Sequence, residues 1–349
     1  MTDAFWINKK VLITGHTGFK GSWLTLLLVG LGAKVIGYSL APQKELSLFC
    51  EARLSELCTS IIGDILDSVH LESIFEEHQP DIVIHLAAQS LVRYSYDYPK
   101  ETYETNVIGT LNILDSLKTT NSVKSAVMVT TDKCYENTGL LRPYNENDPL
   151  GGYDPYSSSK ACAEILVSSY RRSYFVKHSC SIATARAGNV IGGGDWAKDR
   201  LIPHLLESIS NHDNIVLRNP SSTRPWQHVL DVLNGYLMLA KNLYIEGDKY
   251  AQSFNFGPES KDVISVRCLA EAMVKETNSR SQIIESLELD LHEATELSLD
   301  SMKARQLLGW KSCWSIDDAI VKIAEWNELF IKGEDARKIS LMQIADFQS

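Results

Sequence analysis

The sequence predicts an α/β fold: a doubly wound parallel sheet, followed by a smaller C-terminal α/β domain. Three observations predict it. Short Val/Ile-rich runs alternate with amphipathic segments up to about residue 187, the pattern of a parallel sheet covered by helices on both faces. The first run leads directly into a glycine-rich turn, Thr14-Gly15-His16-Thr17-Gly18-Phe19-Lys20-Gly21, and then into a helix-like stretch. Beyond Asn189 the alternation becomes irregular, starting with the loop Gly192-Gly193-Gly194-Asp195-Trp196. The expected domains are therefore 1–187 and 188–349, with segments of the second free to return to the first.

Each element follows from its local pattern. Residues 11–13 form an apolar strand and the following helix runs to about 31. Strands follow at 34–38 and 60–63, each bounded by turn residues. An amphipathic helix spans 68–78, then the strand 81–85. A long helix is expected from about 99 to 117, opened by Pro99, with the strand 125–129 after it. A helix over roughly 156–174 and a strand at 179–185 complete the first half.

Composition narrows the class. With 349 residues, 44% hydrophobic and 22% charged, the chain is an ordinary globular protein with a substantial core. A net charge of -10 argues against a general nucleic-acid binder but leaves a small anionic ligand open, since a few arginines in one cleft decide that. Met1-Thr2-Asp3-Ala4-Phe5 carries an acid where a secretory leader would be basic. The longest apolar stretch, 23–31, is too short to span a bilayer. Seven cysteines without C-x-x-C or metal-ligand spacing read as free thiols of a reducing cytoplasm, and no metal site is expected.

The spacing G-x-x-G-x-x-G between strand and helix is that of a Rossmann-type dinucleotide turn, with the helix N-terminus facing a pyrophosphate. Gly63-Asp64-Ile65 places a carboxylate past a strand end, where an adenine amino group can be read. His85-Leu86-Ala87-Ala88-Gln89 supplies small residues against a flat cofactor. The acid that usually binds the ribose after the second strand is replaced by Tyr38-Ser39-Leu40. No arginine stands there either, so NAD is expected over NADP, with Lys44 the one residue that keeps NADP open. Tyr156-Ser157-Ser158-Ser159-Lys160 sets a phenol and an ammonium four apart on one helix face. A nearby ammonium and a cationic nicotinamide favour the phenolate, making Tyr156 a usable base.

With these motifs, and with a late Leu307-Leu308-Gly309-Trp310, the chain resembles the extended short-chain dehydrogenase/reductase superfamily over nearly its whole length. The tip of the fifth strand, Thr130-Thr131-Asp132-Lys133-Cys134-Tyr135, is similar to that of nucleotide-sugar 4,6-dehydratases. Its T-D-K version, with "GHTGFKGSWL", "GNVIGGGDWAKDRLIP" and "RPWQHVLD", resembles the branch acting on CDP-glucose. The resemblance implies a hydro-lyase that begins a route to deoxysugars of surface polysaccharide (lipopolysaccharide O-antigen). It implies NAD as a cofactor reused within each turnover, held by Gly15, His16, Thr17, Gly18, Phe19, Lys20, Gly21, Asp64, Ile65, Leu86, Ala87, Ala88, Tyr156 and Lys160. It implies a substrate-binding C-terminal domain.

The implied roles are a base at Tyr156 for the sugar C4 hydroxyl, a hydrogen bond from Thr131, and ribose binding by Lys160. Asp132 is the expected acid for the C6 hydroxyl. Lys133 is either the C5 base or a charged stabiliser of the enolate. Arg224 is expected at the substrate diphosphate and Asn189 near the sugar-phosphate, with Gln89, Arg93 and Arg200 as further contacts. Arg218 reads equally as a surface residue, and Trp196 as a base contact or lid packing. His16 and Lys20 are bulkier than the turn needs: Lys20 either supplements the helix dipole at the phosphates or points away, the pair crowding the turn and weakening cofactor binding. A homodimer through the helix 101–117 and the one starting at Tyr156 is expected. Three alternatives stay open: a dehydratase of another nucleotide sugar, a 4-epimerase, and a catalytically silent NAD(H)-sensing protein.

Overall fold

The computed structural model describes residues 4–42, 46–139, 142–286 and 297–349. Lys44 and Met1-Thr2-Asp3 lie outside the described residues.

Strands β1 (Lys10–Thr14), β2 (Lys34–Ser39), β3 (Thr59–Ile62), β4 (Ile82–His85), β5 (Ser125–Val129), β6 (Ser181–Ala187) and β7 (Ser253–Phe256) form one sheet. All its pairings are parallel, in the order β7-β6-β5-β4-β1-β2-β3. The chain progresses in opposite directions from β1, which lies between β4 and β2. The last residues of β1 and β4, Thr14 and His85, pair at this switch point, where a crevice opens beyond the carboxyl ends.

The period-two alternation explains why these strands read as unbroken apolar runs. Val11, Ile13, Ile82, Ile84, Val127 and Val129 enter one core. Leu12, Val83, Ala126 and Met128 enter the core on the opposite face. Both faces are thus dry. The first core also takes residues of the helix Val229–Glu246. A third core lies under Leu201–Asn211, Val266–Glu276 and Ile316–Ile331.

Helix starts follow local capping. Asp67 caps Ser68–His78, and Asp154 with Pro155 opens Pro155–Ser173. The helix expected over 99–117 is instead Pro99–Tyr103, a π-helical turn Glu104–Ile108, and Gly109–Thr119. The wide turn carries Asn106, whose amide donates to Gln89 O at 3.0 Å and Ser159 Oγ at 2.8 Å. The short helix Val92–Asp97 carries no expectation from the sequence. β7 comes from beyond residue 187 and pairs with β6. Among the described residues no helix is long and apolar enough to cross a membrane.

Candidate active site

A cavity of about 1340 Å³ runs across the carboxyl ends of the strands. A pocket for one small molecule typically occupies about 300–1,000 Å³, so this one has room for two extended ligands.

At one end is the glycine turn, where the three glycines do different work. Gly15 has φ +78°, and a Cβ there would lie 2.7 Å from Ala87 N. A Cβ on Gly21 would strike Gly15 O at 2.1 Å, so helix and turn pack too closely for a side chain. Gly18 is exposed, and a Cβ there would meet only Gly15 O, at 3.4 Å. Its open side adjoins the helix Phe19–Gly30, which has no side-chain cap and no acid in its first turn. Free N–H groups at that end suit a diphosphate. Thr17, Phe19, Asp64, Ile65, Leu86, Ala87 and Ala88 also line the cavity. Past β2, Thr17 Oγ1 bonds Ser39 Oγ at 2.8 Å, and neither carboxylate nor cation of 39–42 lines the wall.

His16 does not line the cavity, contrary to the cofactor contact expected of it. Its ring lies beneath the turn, where Nε2 bonds Ser60 Oγ at 2.8 Å and Phe49 packs edge-on. A Cβ on Gly37 would collide with it at 2.3 Å. Burial lowers its pKa to about 4, partly offset by the Tyr38 backbone, so it is neutral at pH 7. Lys20, by contrast, faces the cavity. Burial first, then the cations Arg200, Lys160 and Lys133, lower its pKa to about 7 against the pull of Asp132. The two residues therefore do not act as a pair: one fills the sheet side, the other charges the site.

The residues expected to react gather around the tip of β5. Thr131, Lys133, Tyr156 and Lys160 line the cavity. Tyr156 is held by a hydrogen bond with Thr131. Burial raises its phenol well above the ordinary range; Thr131 lowers it and Asp132 raises it. Lys160, expected to depress it, instead donates to Val129 O at 3.2 Å, and burial lowers its own pKa to about 8. Asp132 does not line the cavity, contrary to its expected direct reach toward a sugar hydroxyl. It is wholly buried beneath Gly188, whose Cβ would lie 3.0 Å from Asp132 Oδ2. Its Oδ1 accepts from Thr131 Oγ1 at 3.0 Å and from Lys133 Nζ at 3.4 Å. Lys133 also reaches Asn189 Oδ1 at 3.4 Å.

Beyond this centre the walls become cationic. Arg93, Arg200, Arg218 and Arg224 line the cavity with Asn189. Arg200 pairs with Asp195 at 2.9 Å and donates to Ser90 Oγ at 3.1 Å, bridging the loop 192–200 to the end of β4. Asp199 lies 3.9 Å from Arg93 and 3.5 Å from Arg218. Arg218 is therefore part of the wall. Trp196 both lines the cavity and packs on Trp326 and Phe330. Gln89, expected at the substrate, does not line it: its side chain is spent on Thr102 Oγ1 at 2.8 Å and on the backbone of Leu91.

The sequence reading missed a buried network behind the tip. Glu164, one turn past Lys160, pairs with Arg186 at 2.7 Å and accepts from Thr130 Oγ1 at 2.5 Å and Thr184 Oγ1 at 2.8 Å. Arg186 donates onward to Tyr135 OH at 2.7 Å, which donates to Asn255 Oδ1 at 2.7 Å. Burial alone would raise the Glu164 carboxyl, but Arg186 and the hydroxyls hold it below the usual range. Two signals were available: a glutamate continuing the Tyr156/Lys160 helix face, and an arginine inside an apolar strand. Cys134 is buried, which pushes its thiol up and leaves it inert. Among the described residues all seven cysteines are free and no metal-binding cluster occurs.

Comparison with known proteins agrees with this geometry. The chain is 46% identical over 350 residues to the CDP-glucose 4,6-dehydratase of Salmonella typhimurium, covering 99% of this chain and 98% of that one. Its fold matches the UDP-glucose 4-epimerase of Thermotoga maritima (TM-score 0.82, 22% identity, 92% of this chain and 99% of that one). It also matches the dTDP-glucose 4,6-dehydratase of Bacillus anthracis solved with NAD (TM-score 0.79, 21% identity, 95% and 99%). The model of the family described as GDP-mannose 4,6 dehydratase matches residues 12–323. That match spans most of the chain, glycine turn and Tyr/Lys helix included, and so the chain belongs to the GDP-mannose 4,6 dehydratase family.

Proposed function

We propose that the chain is a CDP-glucose 4,6-dehydratase, a hydro-lyase that converts CDP-glucose into CDP-4-dehydro-6-deoxy-D-glucose with NAD. One observation carries the reading: Tyr156 and Lys133 line one end of a two-ligand cavity, and a third proton-handling group, Asp132, is buried directly behind them with its Oδ1 on Lys133. Moving a single hydroxyl proton, as a 4-epimerase does, needs only Tyr156. Elimination of water also needs a base at C5 and an acid at C6. The sequence identity to the Salmonella dehydratase supports the substrate.

The open side of Gly18 and the uncapped helix behind it would hold the NAD diphosphate, with Lys160 at the nicotinamide ribose. When bound there, NAD would supply a reversible hydride acceptor between the sugar C4 and C6, so the reaction would be redox-neutral overall. Tyr156 takes the C4 hydroxyl proton, while Thr131 hydrogen-bonds that oxygen. The carbonyl so formed acidifies C5–H; Lys133 removes that proton and returns it to C5 once C6 has been reduced. Asp132, buried behind Thr131, passes its Oδ1 proton through the Thr131 hydroxyl to the departing C6 hydroxyl, which leaves as water. Arg224, Arg218 and Arg93 neutralise the diphosphate.

Residues 1–187 serve the cofactor and 188–349 mainly the nucleotide sugar, with β7 returning to the sheet. The protein works as a cytoplasmic homodimer making deoxysugar precursors of surface polysaccharide. Exposed Ile108 and Ile165, on the two helical stretches expected to self-associate, support the dimer. Incubation of purified protein with CDP-glucose and NAD tests the function: a 4-keto-6-deoxy product, seen by its alkali-induced absorbance, is expected. Formation of a 4-epimer, or turnover of UDP- or dTDP-glucose in preference, would overturn the assignment.

A further inference from the structure

Beneath the catalytic floor, three buried oxygens have no hydrogen-bond partner among the described residues: Asp132 Oδ2, the Tyr236 hydroxyl and Gln227 Oε1. Asp132 and Tyr236 are wholly enclosed and Gln227 nearly so. Shared contacts link them. Gly188 covers Asp132 Oδ2, and the next residue, Asn189, accepts the Gln227 backbone N–H at 3.2 Å. Gln227 Nε2 donates to Phe256 O at 2.7 Å, and the Phe256 ring packs edge-on to Tyr236. Burial raises the Tyr236 phenol above its ordinary range, and its neighbours Tyr156 and Asp132 add to the effect. Interiors pair nearly all such groups, so three orphans linked through shared neighbours point to a common partner.

We propose that Tyr236 is a positioning residue for Asp132, its hydroxyl and Gln227 Oε1 together seating one buried water against Asp132 Oδ2. The inference rests on the dehydratase reading above. A water offers two donors and two acceptor sites. With Asp132 ionised, it donates to Oδ2 and to Gln227 Oε1 and accepts from Tyr236. With Asp132 protonated at Oδ1, the edge next to Thr131, Oδ2 remains an acceptor and the water keeps the same three hydrogen bonds. One arrangement therefore satisfies both states, as an acid that releases and regains a proton in each turnover requires. Thr131 and Lys133 reach Oδ1 only, so neither supplies a partner for Oδ2. Tyr236 lies on the helix Val229–Glu246, behind the sheet, and acts through Asp132 rather than on substrate.

Tyr236→Phe removes only a hydroxyl that bonds no described group, so Tm should hold. With CDP-glucose, kcat should fall about tenfold, a fraction of a general acid's contribution, while KM is unchanged. Oxidation at C4 should outrun elimination, so reduced nicotinamide should accumulate in the first turnover, and the acid limb of the kcat–pH profile should move. An unchanged kcat and pH profile would overturn the proposal. So would oxidation slowed in step with turnover, which would place the effect on Tyr156. Wild-type protein inactive on CDP-glucose would remove the dehydratase reading instead. The water itself is then read from crystals of the ligand-free protein: one ordered water touching all three groups, lost in Tyr236→Phe, is expected, and its absence from the wild type refutes the site.

Discussion

Two regions flank the same catalytic tip and use charge in opposite ways. Behind it, Glu164 and Arg186 form an ion pair at 1% and 3% side-chain exposure, tied to Thr130, Thr184 and Tyr135. In front of it, Lys20, Arg93, Arg200, Arg218 and Arg224 line an open cavity, with Asp195 and Asp199 as half-neutralising partners. Sealed charges meet their partners within the protein, so their energy goes into holding β5, β6 and the Tyr156 helix in one geometry. Charges around the cavity keep capacity for an anion. The same residue types thus build a frame on one side and a receptor on the other, and solvent access makes the difference.

The largest effect should come from opening the frame. Glu164→Gln leaves Arg186 buried without its counter-charge, and breaking such a pair costs about 3–5 kcal/mol. Denaturant unfolding at pH 7 should show that loss. Because the folded Glu164 carboxyl is held below its unfolded range, its contribution is present above the unfolded pKa and fades as pH falls through the folded one. The gap between variant and wild type should therefore close in acid; a gap constant with pH would break the comparison.

Next in size is Tyr156→Phe, which touches chemistry and not frame. Loss of an acid–base group lowers kcat by about 10²–10⁴-fold, and calorimetry should find Tm nearly unchanged. Arg224→Met tests the receptor side: a lost charged hydrogen bond is worth about 1.5–3 kcal/mol, or roughly ten- to hundredfold in KM for CDP-glucose, with kcat held. A fall in stability equal to that of Glu164→Gln would move Arg224 into the frame.

The smallest effect is on proton linkage at Lys20. Its ligand-free pKa of about 7 should rise when phosphates bind, so binding takes up protons above pH 7 and affinity falls as pH increases. Calorimetric titration with CDP in two buffers of different protonation enthalpy should detect the uptake, and Lys20→Ile should abolish it. The same substitution should raise Tm most below pH 7, where the wild-type ammonium is charged in both states and its burial cost is undiminished.

Much of the site was legible in the chain. Gly15 and Gly21 are restricted by backbone contacts within a few residues or across one strand pair, and local spacing reports these directly. Tyr156 and Lys160 share a face because helix geometry demands it. Gln89 and His16 misled the reading because side-chain direction at a strand end depends on what packs behind: Thr102 and the π-turn for one, Gly37 and Ser60 for the other.

By itself the sequence determined the order of the first six sheet strands, the phosphate turn, the Tyr/Lys helix face and the acidic tip of β5. These depend on periodicity and short-range geometry, and both are written in neighbouring residues. Only the tertiary structure decided that Asp132 lies under Gly188, that Lys20 faces the reacting end while His16 does not, and that Glu164 meets Arg186. Each joins residues at least twenty positions apart, or depends on which side of a turn is filled. Burial then sets their charge and hydrogen bonding, and burial belongs to the packed molecule rather than to any stretch of it.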